Sequence, residues 1–135
     1  MDYVESLREY NPDVQVKGKK VTSIADEPLL KPGVNAVAVT YELAHVDEHK
    51  EIMLATLPNG KNVNRMNALD YSRDDLLKKL EATRLICKWT GCGQRYLMHD
   101  ALSALAEITA MVDDEKNTEY FPRLQNYLEH VQKYD

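Results

Sequence analysis

The sequence predicts an all-α fold, a mainly helical bundle carrying a small N-terminal hairpin or extended arm. Three observations lead there. Apolar residues recur three and four apart through most of the chain, a serine cap opens the clearest of these stretches, and one segment only, Asp13 to Thr22, alternates its valines as a strand would. With 135 residues, 44% of them hydrophobic, the chain can bury a real core, so residues 1–135 are expected to form a single helical domain. No repeat, low-complexity tract or Pro/Gly-rich linker divides it.

Taken in order, Asp2 is placed to cap a short first helix with Glu5 at the N3 position, and Val4 and Leu7 share its inward face. Val14, Val16 and Val21 around Lys17-Gly18-Lys19 read as the hairpin or arm. Pro32 suits the first turn of a helix reaching about Val46, with Val34, Val37, Ala38, Tyr41 and Ala44 on one stripe. A short helix near Glu48 to Ala55 precedes the turn Leu57-Pro58-Asn59-Gly60. Ser72, with Asp75 three residues on, opens a helix through Leu76, Leu77, Leu80 and Leu85 to about Trp89.

Gly91 and Gly93 interrupt the helix around Cys92, and a new one resumes near Gln94 with Met98, Ala101, Leu102, Leu105 and Ile108 spaced for burial. Asn117 or Thr118 is placed to cap a last helix bearing Tyr120, Leu124, Tyr127, Leu128, Val131 and Tyr134. Pro122 is tolerable only in its first turn. Because this helix stays apolar to its final turn, further chain is expected beyond Asp135.

Charge argues against two classes of partner. Seventeen basic and 22 acidic side chains give a net charge of -5, which opposes non-specific attraction to nucleic acid or anionic membrane. No apolar run approaches the roughly 20 residues a bilayer requires, and Met1 to Tyr10 hold no apolar signal core, so a cytoplasmic location is expected. Cys87 and Cys92, without a secretory signal, read as thiols rather than as a disulfide framework. Eight tyrosines against one Phe121 and one Trp89 imply rings whose hydroxyls face solvent, a partner or a ligand.

Chemistry concentrates on the helix-loop-helix corner Cys87-Lys88-Trp89-Thr90-Gly91-Cys92-Gly93-Gln94-Arg95-Tyr96. A thiol at a helix N-terminus beside Arg95 has its thiolate favoured, whereas an ordinary corner would hold an inert buried cysteine; the residues alone leave both open. Glu42, His45 and His49 could share a helical face, but no third histidine or carboxylate signature completes a metal site, and a solvated polar face is the simpler reading. His99 and Asp100 point apart on a helix, leaving His99 as a single acid or base. The dinucleotide fingerprint, the Walker loop, the nucleophile elbow and paired CxxC motifs are all missing, so a self-contained nucleotide-binding fold is not expected.

The runs Tyr3-Val4-Glu5-Ser6-Leu7-Arg8, Val34 to Ala44, Asn64-Arg65, Asp74-Asp75-Leu76-Leu77-Lys78-Lys79 and Cys92-Gly93-Gln94-Arg95 resemble the N-terminal part of the flavoprotein family that unites 4-hydroxybutyryl-CoA dehydratases with 4-hydroxyphenylacetate 3-hydroxylases. The pattern is nearer overall to the dehydratases. The resemblance implies an acyl-CoA-dehydrogenase-like N-terminal helical domain. A middle β-domain and a C-terminal helical domain, in cis or as a separate subunit, would complete a site for FAD and substrate. A homo-oligomer is implied as well.

Within that resemblance, Cys92 falls where the dehydratases have one cysteine ligand of a [4Fe-4S] cluster, and Tyr96 falls where they have a second. A phenol replaces a thiolate poorly in such a site, so the resemblance implies FAD and weighs against the cluster. Tyr96 matches a tyrosine near flavin and substrate in the hydroxylases, which carry an arginine at the position of Cys92. Gln94 and Arg95, with Arg84 more weakly, are implied to orient the cofactor, while Tyr96 and, more weakly, His99 are the implied catalytic groups. The function implied first is a hydroxylase-type flavin oxidoreductase, inactive as this chain alone. A dehydratase-like enzyme and a non-catalytic helical interaction module are the alternatives.

Overall fold

The computed structural model describes residues 3–10 and 12–134, and for residues 94–96 the backbone alone. The capping role expected of Asp2 lies outside the described residues. Helix α1 (Tyr3–Tyr10) is followed by the hairpin β1 (Gln15–Val16) and β2 (Lys19–Lys20), then α2 (Lys31–Glu42), a 3₁₀ turn (Leu43–His45), α3 (Lys50–Met53), and a second hairpin, β3 (Leu54–Thr56) and β4 (Asn62–Asn64). A 3₁₀ turn (Arg65–Asn67) leads into α4 (Arg73–Thr90), α5 (Gln94–Lys116) and α6 (Tyr120–Lys133). The fold is mainly helical, as expected.

The first hairpin forms where the valines alternate. Val16 pairs with Lys19, and the two residues between them, Lys17 and Gly18, both take positive φ (50° and 75°), the conformation of a tight two-residue hairpin turn. Its far end is anchored by Val21, which is buried and whose N–H donates to Val14 O at 2.8 Å. At α1, Tyr3 stacks on Tyr41 of α2 (5.3 Å between centroids), and Arg8 forms a fork on Asp26 with Nη2 to Oδ1 at 2.8 Å and Nε to Oδ2 at 3.2 Å.

The second hairpin was not expected. The helix anticipated from Glu48 to Ala55 is cut to α3, because the Leu57-Pro58-Asn59-Gly60 turn folds the following chain back: Leu54 pairs with Asn64, Ala55 with Val63 and Thr56 with Asn62. Gly60 takes φ 82°, which a glycine adopts without steric cost. The carbonyls left at the short helix and its exit are gathered by Arg65, whose Nε donates to Ile52 O at 2.6 Å and whose Nη2 donates to Glu51 O at 3.2 Å and to Leu54 O. Asn64 completes the brace: its Nδ2 donates to Thr40 O at 2.9 Å, and its Oδ1 accepts the N–H of Met66 at 3.1 Å.

Two apolar clusters result. Leu43, Ala44, Met53, Met66, Ala82 and Ile86 join the end of α2, α3 and α4, while Leu102, Leu124 and Leu128 join α5 to α6 with Leu69 and Phe121 against them. Met53 and Met66 are fully buried, each stabilising the fold by roughly 1.5–3 kcal/mol relative to exposure. The Arg65–Asn67 turn touches α3, α4, α5 and α6, so it links the clusters.

Helix faces differ from expectation in α4 and α5. Ser72 caps α4 as foreseen, accepting the N–H of Asp75 at 3.1 Å. The buried stripe, however, is Lys79, Ala82 and Ile86, while Leu76, Leu77 and Leu80 are about half exposed (49%, 48% and 48%). On α5, Leu102 is buried, whereas Leu105 and Ile108 are exposed and so is Ala101. Each helix carries two apolar stripes, and one of them meets the core. On α6, Leu124 and Leu128 pack inward while Tyr120, Tyr127 and Tyr134 stay exposed.

The cap of α6 is also corrected. Asn117, with φ 52°, ends α5, and the carboxylate of Asp113 does the capping: it accepts the N–H groups of Tyr120 (2.8 Å) and Phe121 (2.7 Å) and the hydroxyl of Thr118 (2.6 Å). A carboxylate at a helix N-terminus complements its dipole, which is why α5 rather than the connecting residues supplies the cap.

Candidate functional site

Helix α4 ends because Gly91 adopts the left-handed conformation (φ 63°, ψ 10°) and its N–H closes on Cys87 O at 2.9 Å. Thr90 then holds the corner. Its hydroxyl accepts the N–H of Cys92 at 3.0 Å and lies 2.9 Å from Ile86 O and 2.7 Å from Cys92 O, donating its proton to one or the other. The two glycines serve different needs. A Cβ on Gly91 would meet nothing within 4 Å, so conformation alone demands glycine there, whereas a Cβ on Gly93 would stand 3.3 Å from Cys87 Sγ, a tight contact that the exposed Cys87 side chain would have to yield to by a few tenths of an ångström. Thr90 drew no attention in the sequence, where a threonine ending a helix has no distinguishing pattern.

Cys92 is half-buried and Cys87 exposed, and neither is in a disulfide. The next residues begin α5, so the corner backbone delivers Cys92 to the N-terminal, positive end of a 23-residue helix. The backbones of Gln94, Arg95 and Tyr96 form that first turn; the roles expected of these side chains lie outside the described residues. Arg84 is on α4 and exposed.

His99 is fully buried and faces the core. Its Nε2 lies 3.4 Å from Asp70 Oδ1, a close charge contact that lacks hydrogen-bond geometry, and Nδ1 lies 3.5 Å from Ser103 Oγ. The same Asp70 accepts from Lys79 Nζ at 3.1 Å and from Ser103 Oγ at 3.2 Å, and Asp100 stands 3.8 Å from Lys79. Burial pushes the His99 imidazole below its ordinary value, against the pull of Asp70 in the other direction, so the ring is favoured neutral. The histidine expected to work alone thus sits in a buried cluster joining α4, α5 and the segment before α4. Asp70 and Lys79 escaped the sequence reading because an isolated Asp and Lys look like surface residues.

Glu42, His45 and His49 do not share a helix: α2 ends at Glu42, His45 lies in the 3₁₀ turn, and His49 immediately precedes α3. Among the described residues no group of three His, Cys, Asp or Glu is arranged to hold a metal ion. An iron-sulfur cluster on Cys92 would therefore draw its other ligands from outside them. The outer side of Gly91 is open, so the corner leaves room for a planar group to approach its backbone. Two grooves open on the surface, the first beside the opening turns of α4, away from this corner, and the second reaching the start of α5. One, about 450 Å³, is lined by Lys50, Glu51, Arg65, Asp75 and Lys78; the other, about 430 Å³ and more apolar, runs between Tyr3, Leu7, Val34 and Val37 to Met98 near the start of α5. Among the described residues no helix is long and apolar enough to cross a membrane.

Comparison with known proteins places this geometry. The chain is 38% identical over 136 aligned residues, 98% of its length, to the 4-hydroxybutyryl-CoA dehydratase/vinylacetyl-CoA-Δ-isomerase of Clostridium aminobutyricum, of which it spans 28%. It superposes on an oxygen-tolerant archaeal 4-hydroxybutyryl-CoA dehydratase from N. maritimus with a TM-score of 0.90 at 32% identity, covering 98% of this chain and 26% of that one. The oxygenase component of 4-hydroxyphenylacetate 3-monooxygenase shares the fold at a TM-score of 0.77 and 22% identity, again over 98% of this chain and 28% of that one. A structure of that component in complex with FAD also matches, at a TM-score of 0.74. The chain thus spans about a quarter of the length of these relatives. Residues 1–135 match, from end to end, the family described as 4-hydroxyphenylacetate 3-hydroxylase N terminal, and the chain belongs to that family.

Proposed function

We propose that the chain is the N-terminal helical part of a flavin-dependent enzyme of the dehydratase branch, contributing the Gly91 to Tyr96 corner as one wall of a site for FAD and a hydroxyacyl-CoA. The carrying observation is the agreement with dehydratases in both fold and sequence, a TM-score of 0.90 at 32% identity and 38% identity to a second enzyme. This displaces the hydroxylase-type reading that the resemblance put first, since likeness to the monooxygenase component is lower on both measures. The remaining walls would come from further domains, in cis or as a separate subunit. The half-exposed leucines of α4 and the exposed Leu105 and Ile108 of α5 offer them apolar surface.

Bound FAD would supply electron transfer to and from the substrate. The chain's own residues would hold and orient. Cys92, fixed through its backbone by Thr90, would present its thiol beside the start of α5. Gln94 and Arg95 in the first turn would orient the cofactor, with exposed Arg84 available to an anionic group. Tyr96 would donate a hydrogen bond to an oxygen on which charge develops. His99, buried and neutral, would hold that turn against the core.

A second reading retains the hydroxylase chemistry, and one observation favours it: residue 96 is a tyrosine where the dehydratase pattern calls for a cysteine. Reconstitution with a polypeptide carrying the β-domain and C-terminal helical domain separates the two. The proposal expects FAD to bind and 4-hydroxybutyryl-CoA to be dehydrated, with iron and sulfide analysis reporting whether Cys92 helps to hold a cluster. Oxidation of a phenol with reduced flavin and oxygen, without dehydration, would transfer the assignment to the hydroxylase branch. Failure to bind FAD would remove both.

A further inference from the structure

Two bases on different helices face one buried carboxylate. Lys79 of α4 donates to Asp70 Oδ2 at 3.1 Å, and Ser103 of α5 donates to the same oxygen at 3.2 Å. The other oxygen, Oδ1, faces His99 Nε2 at 3.4 Å, and that nitrogen is buried without a hydrogen bond. Neither neutral tautomer of His99 satisfies the cluster. With the proton on Nδ1, that atom can donate to Ser103 Oγ, 3.5 Å away, but a bare Nε2 then faces a carboxylate oxygen. With the proton on Nε2, Nδ1 faces a hydroxyl whose one proton is already given to Asp70. The imidazolium leaves nothing over: Nε2–H meets Asp70 Oδ1, Nδ1–H meets Ser103 Oγ, and the serine proton keeps its bond to Oδ2. Lys79 has a second carboxylate within reach, since Asp100, whose side chain is 57% exposed, stands 3.8 Å from its Nζ.

We infer that the cluster is a proton-operated exchange of partners: when His99 takes up a proton, Asp70 passes from Lys79 to His99, and Lys79 pairs with Asp100 at the surface. The hold on the segment before α4 thereby moves from α4 to α5. The proton comes from solvent and stays on the ring, so the cluster gains one positive charge and ends as two ion pairs. Burial opposes protonation and so does Lys79, while Asp70 and Asp100 favour it; moving Lys79 outward weakens one of the two opposing influences. Of the elements packed on this part of α5, the Arg65–Asn67 turn brings the Arg65 guanidinium, which acts on Asp70, and α6 brings the uncharged Leu124 and Leu128. The exchange rests on no flavin and no substrate, so it stands or falls separately from the function proposed above.

The test is a pH titration of the labelled chain by NMR, following the His99 ring, the Lys79 ammonium and the carboxyl carbons of Asp70 and Asp100 from neutral to mildly acidic pH. His99→Gln identifies the ring signal by erasing one of four histidine titrations. The expected result is that His99 titrates in the folded protein, below its ordinary value, and that the Lys79, Asp70 and Asp100 signals move at the same midpoint. Lys79→Met, which removes the competing cation, should raise the His99 midpoint by roughly one unit and largely abolish the Asp100 movement. Asp100→Asn, at an exposed position, should lower the midpoint, because Lys79 then has nowhere to go. Should Lys79→Met fail to fold, the wild-type titration and Asp100→Asn decide. A His99 ring that stays neutral until the protein unfolds, a Lys79 signal unchanged across the His99 titration, or an Asp100→Asn midpoint equal to that of the wild type would each overturn the inference.

Discussion

Replacing Arg65 with methionine should cost the fold roughly 3–5 kcal/mol, three carbonyls losing a donor at about 1–3 kcal/mol each, taken toward the low end because they are only partly buried. Arg65 is 4% exposed and donates to the carbonyls of Ile52, Glu51 and Leu54, with Asp75 standing 3.7 Å from its other nitrogen. A buried charge can often be exchanged for an apolar residue at no loss, but that holds when its partners are exchanged with it. Here the partners are backbone groups at the exit of α3, which no substitution removes. A domain of this size is stable by about 5–15 kcal/mol, so the variant should lose a large part of its margin. Urea unfolding followed by circular dichroism checks this: with an ordinary slope the midpoint should fall by roughly 2 M at unchanged slope. Arg65→Lys should fare little better, because an ammonium lacks the planar fork that reaches several carbonyls at once. An Arg65→Met protein within about 1 kcal/mol of the wild type would refute the reasoning, as it would mean that water satisfies those carbonyls.

Three further predictions concern other parts of the fold. Since burial holds the His99 imidazole below its ordinary value of 6.5, the unfolded chain takes up a proton first as pH falls; stability should decline below pH 6.5 by on the order of 1.4 kcal/mol per unit until the folded protein also protonates, and a His99→Gln variant that keeps the same slope would show the decline to arise elsewhere. The Arg8 fork, helped by Ser23, pulls the Asp26 carboxyl down to about 2 from 3.8, so Arg8→Gln should move its titration back towards the ordinary value by NMR, and an unmoved titration would deny the pair any hold in solution. Asp113→Ala should speed hydrogen exchange at the amides of Tyr120 and Phe121 before it affects the rest of α6; unchanged exchange there would mean that Asp113 is not the cap.

Much of this architecture is legible in the residues, within limits that particular positions explain. Pro32, Ser72, Gly91 and Pro122 are local signals acting through backbone sterics and caps, and each lies where the structure uses it. Periodicity finds a helix but does not choose between two stripes on it. On α4 the leucines at 76, 77 and 80 outweigh a stripe made of Lys79, Ala82 and Ile86, yet the latter meets Met53 and Met66. A lysine at a core position reads as surface until its carboxylate partner, nine residues away in sequence, is known. The strands β3 and β4 are only three residues long, too short for alternation to register, and Asn64-Arg65 entered as a resemblance without revealing its work on backbone carbonyls. At the corner the glycines announced a special backbone, but Thr90 and the fit between Gly93 and Cys87 require coordinates.

The cluster of Asp70, Lys79, His99 and Ser103 bears on how this corner can evolve. A shift of α5 by one helical turn, about 5.4 Å, would leave at most one of His99 and Ser103 beside the buried carboxylate, so the observed register of α5 against α4 is favoured. Only residues 91–93 connect the two helices, so that register also sets the corner. None of the cluster's side chains belongs to the corner itself, and Thr90 holds Cys92 by its backbone alone. The hydrogen bonds from Thr90 that fix residue 92 run to its backbone and would be made by any non-proline residue there, so the path of the corner is set apart from the side chain it presents.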